Sequence, residues 1–290
     1  MCGIVAGVAE RNIVPILLEG LKRLEYRGYD SAGLAVNHDG TIDRCRAVGK
    51  VASLVSKAGA ENIHGNSGIA HTRWATHGVP SEANAHPHMS GATIAVVHNG
   101  IIENYQEIRD ELQAAGYTFT SDTDTETIAH LIDRHYRQHH DLLRAVRETT
   151  ARLRGAYAIA VIAADRPDEI IAARHGSPMV IGVGIGEHFA ASDIFALLPV
   201  TRRLWEETAS VRGCRFLAVE LICSDRTEHR RRAQQRVSDI EGLELPDWQA
   251  VERRDYAPWP EADLRLDTAR LTTTEAARTI ICHGLTGGAR

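Results

Sequence analysis

Lysine is the first scarcity: none follows Lys57, although arginine continues to the end of the chain. That imbalance fits codon bias better than a phosphate-binding surface. Excess positive charge is lacking as well. The formal net charge is -5 and the pI about 6.3, so no strongly basic face calls for nucleic acid. No apolar run approaches the roughly 20 residues that a membrane-spanning helix needs. Arg11 breaks the apolar start before a secretory signal is complete, so the cytoplasm is the expected location. Five cysteines (Cys2, Cys45, Cys214, Cys223 and Cys282) form no C-x-x-C pair, and their number is odd. A disulfide framework or a zinc site is not expected. His77, His86 and His88 share no carboxylate or thiolate at ligand spacing, so neither metal nor cofactor is expected.

What is present is a dense α+β pattern up to about residue 202. With a hydrophobic fraction of 43%, the 290 residues suffice for one large domain or two modest ones. Strands are expected over Cys2–Ala9, Leu34–Val36, Ser67–Thr72, Thr93–His98, Tyr157–Ala163, Glu169–Ala173 and Met179–Val183. Helical periodicity marks Ile13–Arg23, with Ile13, Leu17, Leu21 and Leu24 on one face, and also Glu107–Ala115, Asp124–Arg137 and Leu142–Leu153. Thr123 or Asp124 is the expected N-cap of the third of these. Helices fall in pairs between groups of strands. That order suits layered sheets covered by helices, not a βαβ alternation.

Four local features carry chemistry. Once Met1 is removed ahead of the small Gly3, Cys2 offers a thiol and a free α-amine on one residue. An α-amine with a pKa near ~7.7–8.0 can accept the thiol proton and activate the nucleophile. By itself Cys2 reads more readily as a small buried residue opening a strand. His98-Asn99-Gly100 ends an apolar strand, where an Asn amide and a Gly N–H can aim two donors at one oxygen; an ordinary Asn-Gly turn is the bland alternative. Arg73 can grip a carboxylate with two parallel hydrogen bonds. Beside it, Trp74 can act as a lid and Gly78 as a hinge. Asp124, in the run Ser121–Glu126, can hold an ammonium, or simply belong to a helix cap. A carboxylate holder, an ammonium holder and a nucleophile suited to amides together describe a free amino acid with a side-chain amide: glutamine or asparagine.

These residues lie in longer motifs: MCGIV at Met1, LEYRGYDSAGLAV at Leu24, GIAHTRWATHG at Gly68, NAHPH at Asn84, VVHNGIIENY at Val96, SDTDTETIAHL at Ser121 and LRGAYAIAV at Leu153. ARHGSPMVIG at Ala173 and ASDIFALLPVTRR at Ala191 extend the set. Residues 1–202 thereby resemble the glutaminase domain of the glucosamine-6-phosphate synthase family, class II glutamine amidotransferases. The resemblance implies a four-layer αββα N-terminal-nucleophile sandwich of two antiparallel sheets. It also implies hydrolysis of L-glutamine to glutamate and ammonia through a Cys2 thioester, with Asn99 and Gly100 as the oxyanion hole. Arg73, Thr76, His77 and Asp124 match the positions that hold glutamine. Trp74 falls in the closing loop, and Arg27 and His86 in supporting motifs.

After Arg203 the likeness stops. The family's next strand and its two sugar-isomerase domains have no counterpart here, and residues 203–290 are expected to form an irregular tail. Translation from a shifted frame and a divergent extension both fit. Ammonia release is therefore the half-reaction expected of this chain, with an acceptor synthase subunit or domain acting in trans as a partner. A non-catalytic glutamine-binding or regulatory subunit, or an inactive truncated product, is the alternative.

Overall fold

In the computed structural model, the described residues are 2–74, 78–184, 186–197, 206, 209–210, 213–235, 248–252 and 258–285. The chain divides into two units, Met1–Leu204 and Trp205–Arg290. Each has its own construction.

The first unit is organised by strands that bury both faces. In β1 (Gly3–Ala9), Ile4 and Ala6 join Ile69, Ala95, Val97 and Ala160 in one buried cluster. Val5 and Ala9, on the opposite face, join Leu17, Leu21, Leu34 and Leu54 in another. Alternation of side chains along a strand puts the two sets on opposite sides. A strand buried on both sides reads as a continuous apolar run, which is why β1 is visible in the sequence. β2 (Ser31–His38), β3 (Thr41–Val48), β4 (Ser67–Arg73), β9 (Val180–Val183) and β10 (Glu187–Ala191) complete its sheet in the order β3-β2-β4-β1-β10-β9. Every pairing in it is antiparallel.

The second sheet is antiparallel too, in the order β5 (His88–Ser90), β6 (Ile94–Gly100), β7 (Tyr157–Ala163), β8 (Ile171–His175). Ala95 and Val97 of β6 pack between the sheets, whereas Ile94 and Val96 pack with helical residues such as Ile128, Ile132 and Val146. Helices α1 (Val14–Arg23) and α2 (Val51–Ala60) cover the first sheet, and α4 (Asp124–His139) and α5 (Leu142–Thr150) the second. Helix α3 (Tyr105–Ala114) packs on α4 through Ile108, Leu112 and Leu131. The architecture is therefore helix, sheet, sheet, helix. Each fully buried Leu or Ile contributes roughly 1.5–3 kcal/mol; Ile4, Ile69 and Ile162 lie between the sheets, and the leucines lie in the helix-facing clusters.

Local signals explain individual ends. Helix α1 begins with Pro15 in its first turn and ends with Lys22 and Arg23, which suit the negative end of the helix dipole. At the start of α4 the backbone cap is Thr123, but its side chain makes no capping bond. Its hydroxyl turns to His88 and Ser121 instead, and Asp124 is the first helical residue. The expected side-chain cap is therefore replaced by a buried polar cluster.

The second unit contains a two-stranded parallel sheet, β11 (Val219–Ile222) with β12 (Leu264–Asp267). Helices α6 (Arg226–Gln235) and α7 (Trp248–Glu252) fall between the strands in sequence, and α8 (Thr273–Leu285) follows. These elements correct the expectation of an irregular tail over residues 203–290. Helix α8 opens with a reciprocal cap. The Glu275 carboxylate accepts from Thr272 N–H, and Thr272 Oγ1 accepts from Glu275 N–H. Ala276, Ala277, Ile280 and Ile281 recur along the helix at helical spacing.

Candidate active site

The site lies where the inter-sheet core turns polar. Cys2 precedes β1 with the same alternation as Ile4 and Ala6. His71 follows Ile69 on β4, and Asn99 follows Ala95 and Val97 on β6. Period-two geometry therefore aims Cys2, His71 and Asn99 into the space between the sheets. The β1–β4 register, Gly3 opposite Thr72, brings Cys2 beside the end of β4.

There the Cys2 sulfur accepts the Trp74 N–H at 3.2 Å. The Cys2 carbonyl accepts from Asn99 Nδ2 and from Arg27 Nη1, both at 3.3 Å. Arg27 is held in turn by Asp193, which also accepts from Tyr26 Oη. Asn99 Oδ1 lies 2.9 Å from His71 Nε2. Burial pushes the Cys2 thiol up; the Trp74 N–H and the chain's terminal positive charge pull it back down.

Arg73 is almost fully buried. Its Nη2 donates to Gly78 O at 3.1 Å, and Nη1 is 3.7 Å from Asp30 Oδ1. A buried guanidinium needs anionic company, and Asp30 provides it from the turn before β2. Asp124 Oδ2 accepts the Ile102 N–H at 2.9 Å, and its Oδ1 is 3.9 Å from His98 Nδ1. Cys2, Arg73, Trp74, His86, His98, Gly100 and Asp124 line one cleft, with Thr123 and Thr125.

Two glycines shape it. Gly100 ends β6 at φ +127, and a Cβ there would fall 2.0 Å from Ala156 O. Gly28 has φ +73, and its missing Cβ leaves room for the Trp74 indole, whose Cζ3 would lie 2.7 Å away. Trp74 itself is half exposed.

From the cleft-lining His86 inward, the imidazoles of His71 and His86 stack at 4.1 Å, and His88 meets His86 edge-on at 4.9 Å. Burial holds His71 down to about 3 and drives His86 and His88 well below the usual histidine range. All three are neutral near pH 7. His86 Nδ1 accepts the His98 N–H at 3.4 Å, so His86 supports the strand that carries Asn99. Among the described residues no group of three His, Cys, Asp or Glu side chains has the arrangement of a metal site.

The structure thus brings together Cys2, Arg27, Arg73, Trp74, His86, Asn99, Gly100 and Asp124. Thr76 and His77 lie outside the described residues. Sequence reasoning missed Asp30, Asp193 and His71 as partners of these groups. Asp30 and Asp193 lie in quoted motifs, but no spacing pointed them at Arg73 or Arg27. His71 was legible only through its alternation with Ile69.

Comparison with known proteins agrees with this geometry. Residues 71–199 match the family profile described as "Glutamine amidotransferase domain". Two solved structures share the fold of the first unit: glutamine phosphoribosylpyrophosphate amidotransferase from B. subtilis (26% identity, TM-score 0.60, 69% of this chain and 44% of that one), and the allosteric regulatory enzyme of purine biosynthesis (26%, TM-score 0.61, 69% and 43%). The chain therefore carries a glutamine amidotransferase domain of the N-terminal-nucleophile class. Within that class its relatives are specific. It is 64% identical over 203 residues to glutamine–fructose-6-phosphate aminotransferase (isomerizing) of Acinetobacter baylyi, covering 70% of this chain and 33% of that protein. The Escherichia coli K12 enzyme of the same name is 58% identical over 204 residues. The domain is homologous to the glutaminase portion of that enzyme, and the chain spans about a third of the curated relatives' length.

Proposed function

We propose that residues 1–202 form a domain that hydrolyses L-glutamine to glutamate and ammonia, with Cys2 as the nucleophile. The observation that carries it is the Cys2 sulfur under the Trp74 N–H, at the mouth of a cleft shared with Arg73, Asp124 and Gly100. Removal of Met1 exposes the Cys2 α-amine. It takes the thiol proton as sulfur attacks the side-chain amide carbon. The negative charge on the amide oxygen meets Asn99 Nδ2 and the Gly100 N–H, each worth about 3 kcal/mol. The C–N bond breaks, the α-ammonium returns the proton, and ammonia leaves a thioester. Water then attacks the thioester, releasing glutamate and the thiol. No metal or cofactor takes part.

Arg73 pairs with the substrate carboxylate and Asp124 with its ammonium, while Thr76 and His77 complete the grip. Trp74 covers the cleft. Arg27 and His86 are supports, the one on the Cys2 carbonyl and the other behind β6. Ammonia passes to an acceptor domain or subunit; by the relatives' name the acceptor is fructose 6-phosphate, in hexosamine biosynthesis. Among the described residues no helix is long and apolar enough to cross a membrane, and the cytoplasm is the proposed setting. Intact mass and a glutamine-hydrolysis assay on one sample test the proposal: mass lower by one methionine, with glutamate release, is the expected result. Glutamine binding without glutamate release would point instead to a regulatory subunit.

A further inference from the structure

We infer that His71 is a positioning residue for the amidase reaction, fixing which end of the Asn99 amide faces the reacting carbon. This rests on the proposed role of Asn99 as an oxyanion donor. An Asn side chain has a donor end and an acceptor end, and rotation by half a turn exchanges them. Only the NH2 end can stabilise an oxyanion; the oxygen end would repel it. Two contacts select the orientation. Asn99 Nδ2 donates to the Cys2 carbonyl at 3.3 Å, leaving the amide a second N–H, and Asn99 Oδ1 is 2.9 Å from His71 Nε2.

For the second contact to be a hydrogen bond, Nε2 must carry the proton. The environment supports a single neutral form of the ring. His71 is fully buried between the sheets and stacked on His86, and burial holds its titration down to about 3. The imidazole therefore presents a constant N–H throughout the pH range in which the thiol operates. The opposite tautomer would place a lone pair at Nε2, call the Asn99 NH2 towards it, and turn Oδ1 to the reaction. Asn99 cannot set its own orientation from β6 alone; β4 on the facing sheet does so through His71.

The test uses the full chain. His71→Leu, which removes the donor, is expected to lower kcat for glutamine hydrolysis by about tenfold to a hundredfold, with KM within about twofold. His71→Gln, whose amide nitrogen can occupy the place of Nε2, is expected to stay within about threefold of the parent. Asn99→Ala alone is expected to cost roughly 10²–10³ in kcat. Adding His71→Leu to it should cost nothing further beyond about twofold, because the two residues act as one unit. Multiplying losses in the double variant would overturn the inference. An Asn99→Ala variant with unchanged kcat would instead overturn the oxyanion role on which it rests. Nitrogen-15 NMR of the histidines in the unaltered protein reads the tautomer independently of any variant's folding. Protonated Nε2 is expected for His71, and protonated Nδ1 would sink the inference.

Discussion

The two units differ most in what their burial accomplishes. In the first, four apolar clusters surround a set of buried polar groups that includes His71, His86, His88, Arg73 and Asp124. In the second, the buried side chains among the described residues are Ala218, Leu266, Ala276 and the single carboxylate of Glu220. A buried polar group costs about 1–3 kcal/mol when its hydrogen bonds are incomplete. The first unit can sustain several, because many buried aliphatic side chains offset them. Among its described residues the second has one parallel strand pair and few buried apolar side chains, and isolated two-stranded sheets are marginal. The contrast shows where a reactive constellation can be maintained: at the polar end of a core that is already stable without it.

The comparison can be broken most decisively at Cys2, the proposed nucleophile. Cys2→Ala is expected to reduce glutamine hydrolysis by at least ~10³-fold while leaving the melting of the first unit in place. Retained turnover would remove the cleft's claim to the chemistry. Acidification comes next. His71, His86 and His88 are held neutral in the folded state, with His71 at about 3, whereas the unfolded chain charges them near 6.5. The unfolded chain therefore binds more protons below about 6.5. Stability is full above that pH and falls as pH drops towards 3. His71 alone predicts a loss of about 2 kcal/mol at pH 5, or roughly 4–8 °C in Tm for a unit of this size. Calorimetry at pH 7 and pH 5 reads it, and an unchanged Tm would contradict the buried neutral array.

Smaller effects belong to the second unit. Glu220 is held by Arg265, which is half exposed, and by the Trp259 N–H at 2.7 Å. Arg265→Ala is expected to destabilise that unit by about 1–2 kcal/mol, less than a fully buried pair would lose. The change should appear in a separate calorimetric transition, with glutamine hydrolysis untouched. Smallest of all should be removal of Trp205–Arg290. With every grouped site residue in the first unit, kcat should stay within about twofold of the full chain. A collapse of activity on truncation would erase the distinction between the units.

Legibility in the sequence followed burial. Tyr157–Ala163 matches β7 residue for residue, because a strand covered on both faces has no polar interruption. Edge strand β3 was missed. Asp43, Arg44 and Arg46 break the run, and Ile42 is buried on one face while Cys45 and Ala47 are buried on the other. Helix α2 was missed as well, since Ala, Ser and Gly occupy much of it and few apolar residues mark its face. In the site, Cys2, Arg73, Asn99 and Asp124 announced themselves by chemical type. Their partners did not: Asp30 reaches Arg73 through the β2–β4 register, and Asp193 reaches Arg27 across 166 residues of sequence, neither of which a linear pattern displays. In the second unit the Thr272-to-Glu275 cap was present as a T-x-x-E pattern.

The place of β1 in its sheet has a consequence for biogenesis. It precedes both of its neighbours in the chain, yet it lies between β4 and β10, with Val5 paired to both Ala70 and Ala191. At a synthesis rate of about 5–20 residues per second, its second neighbour arrives roughly 10–40 s later. Throughout that interval β1 stands without its closing strand. The Met1 excision that the proposed mechanism requires thus has its opportunity during translation, before β10 docks on the strand that follows Cys2.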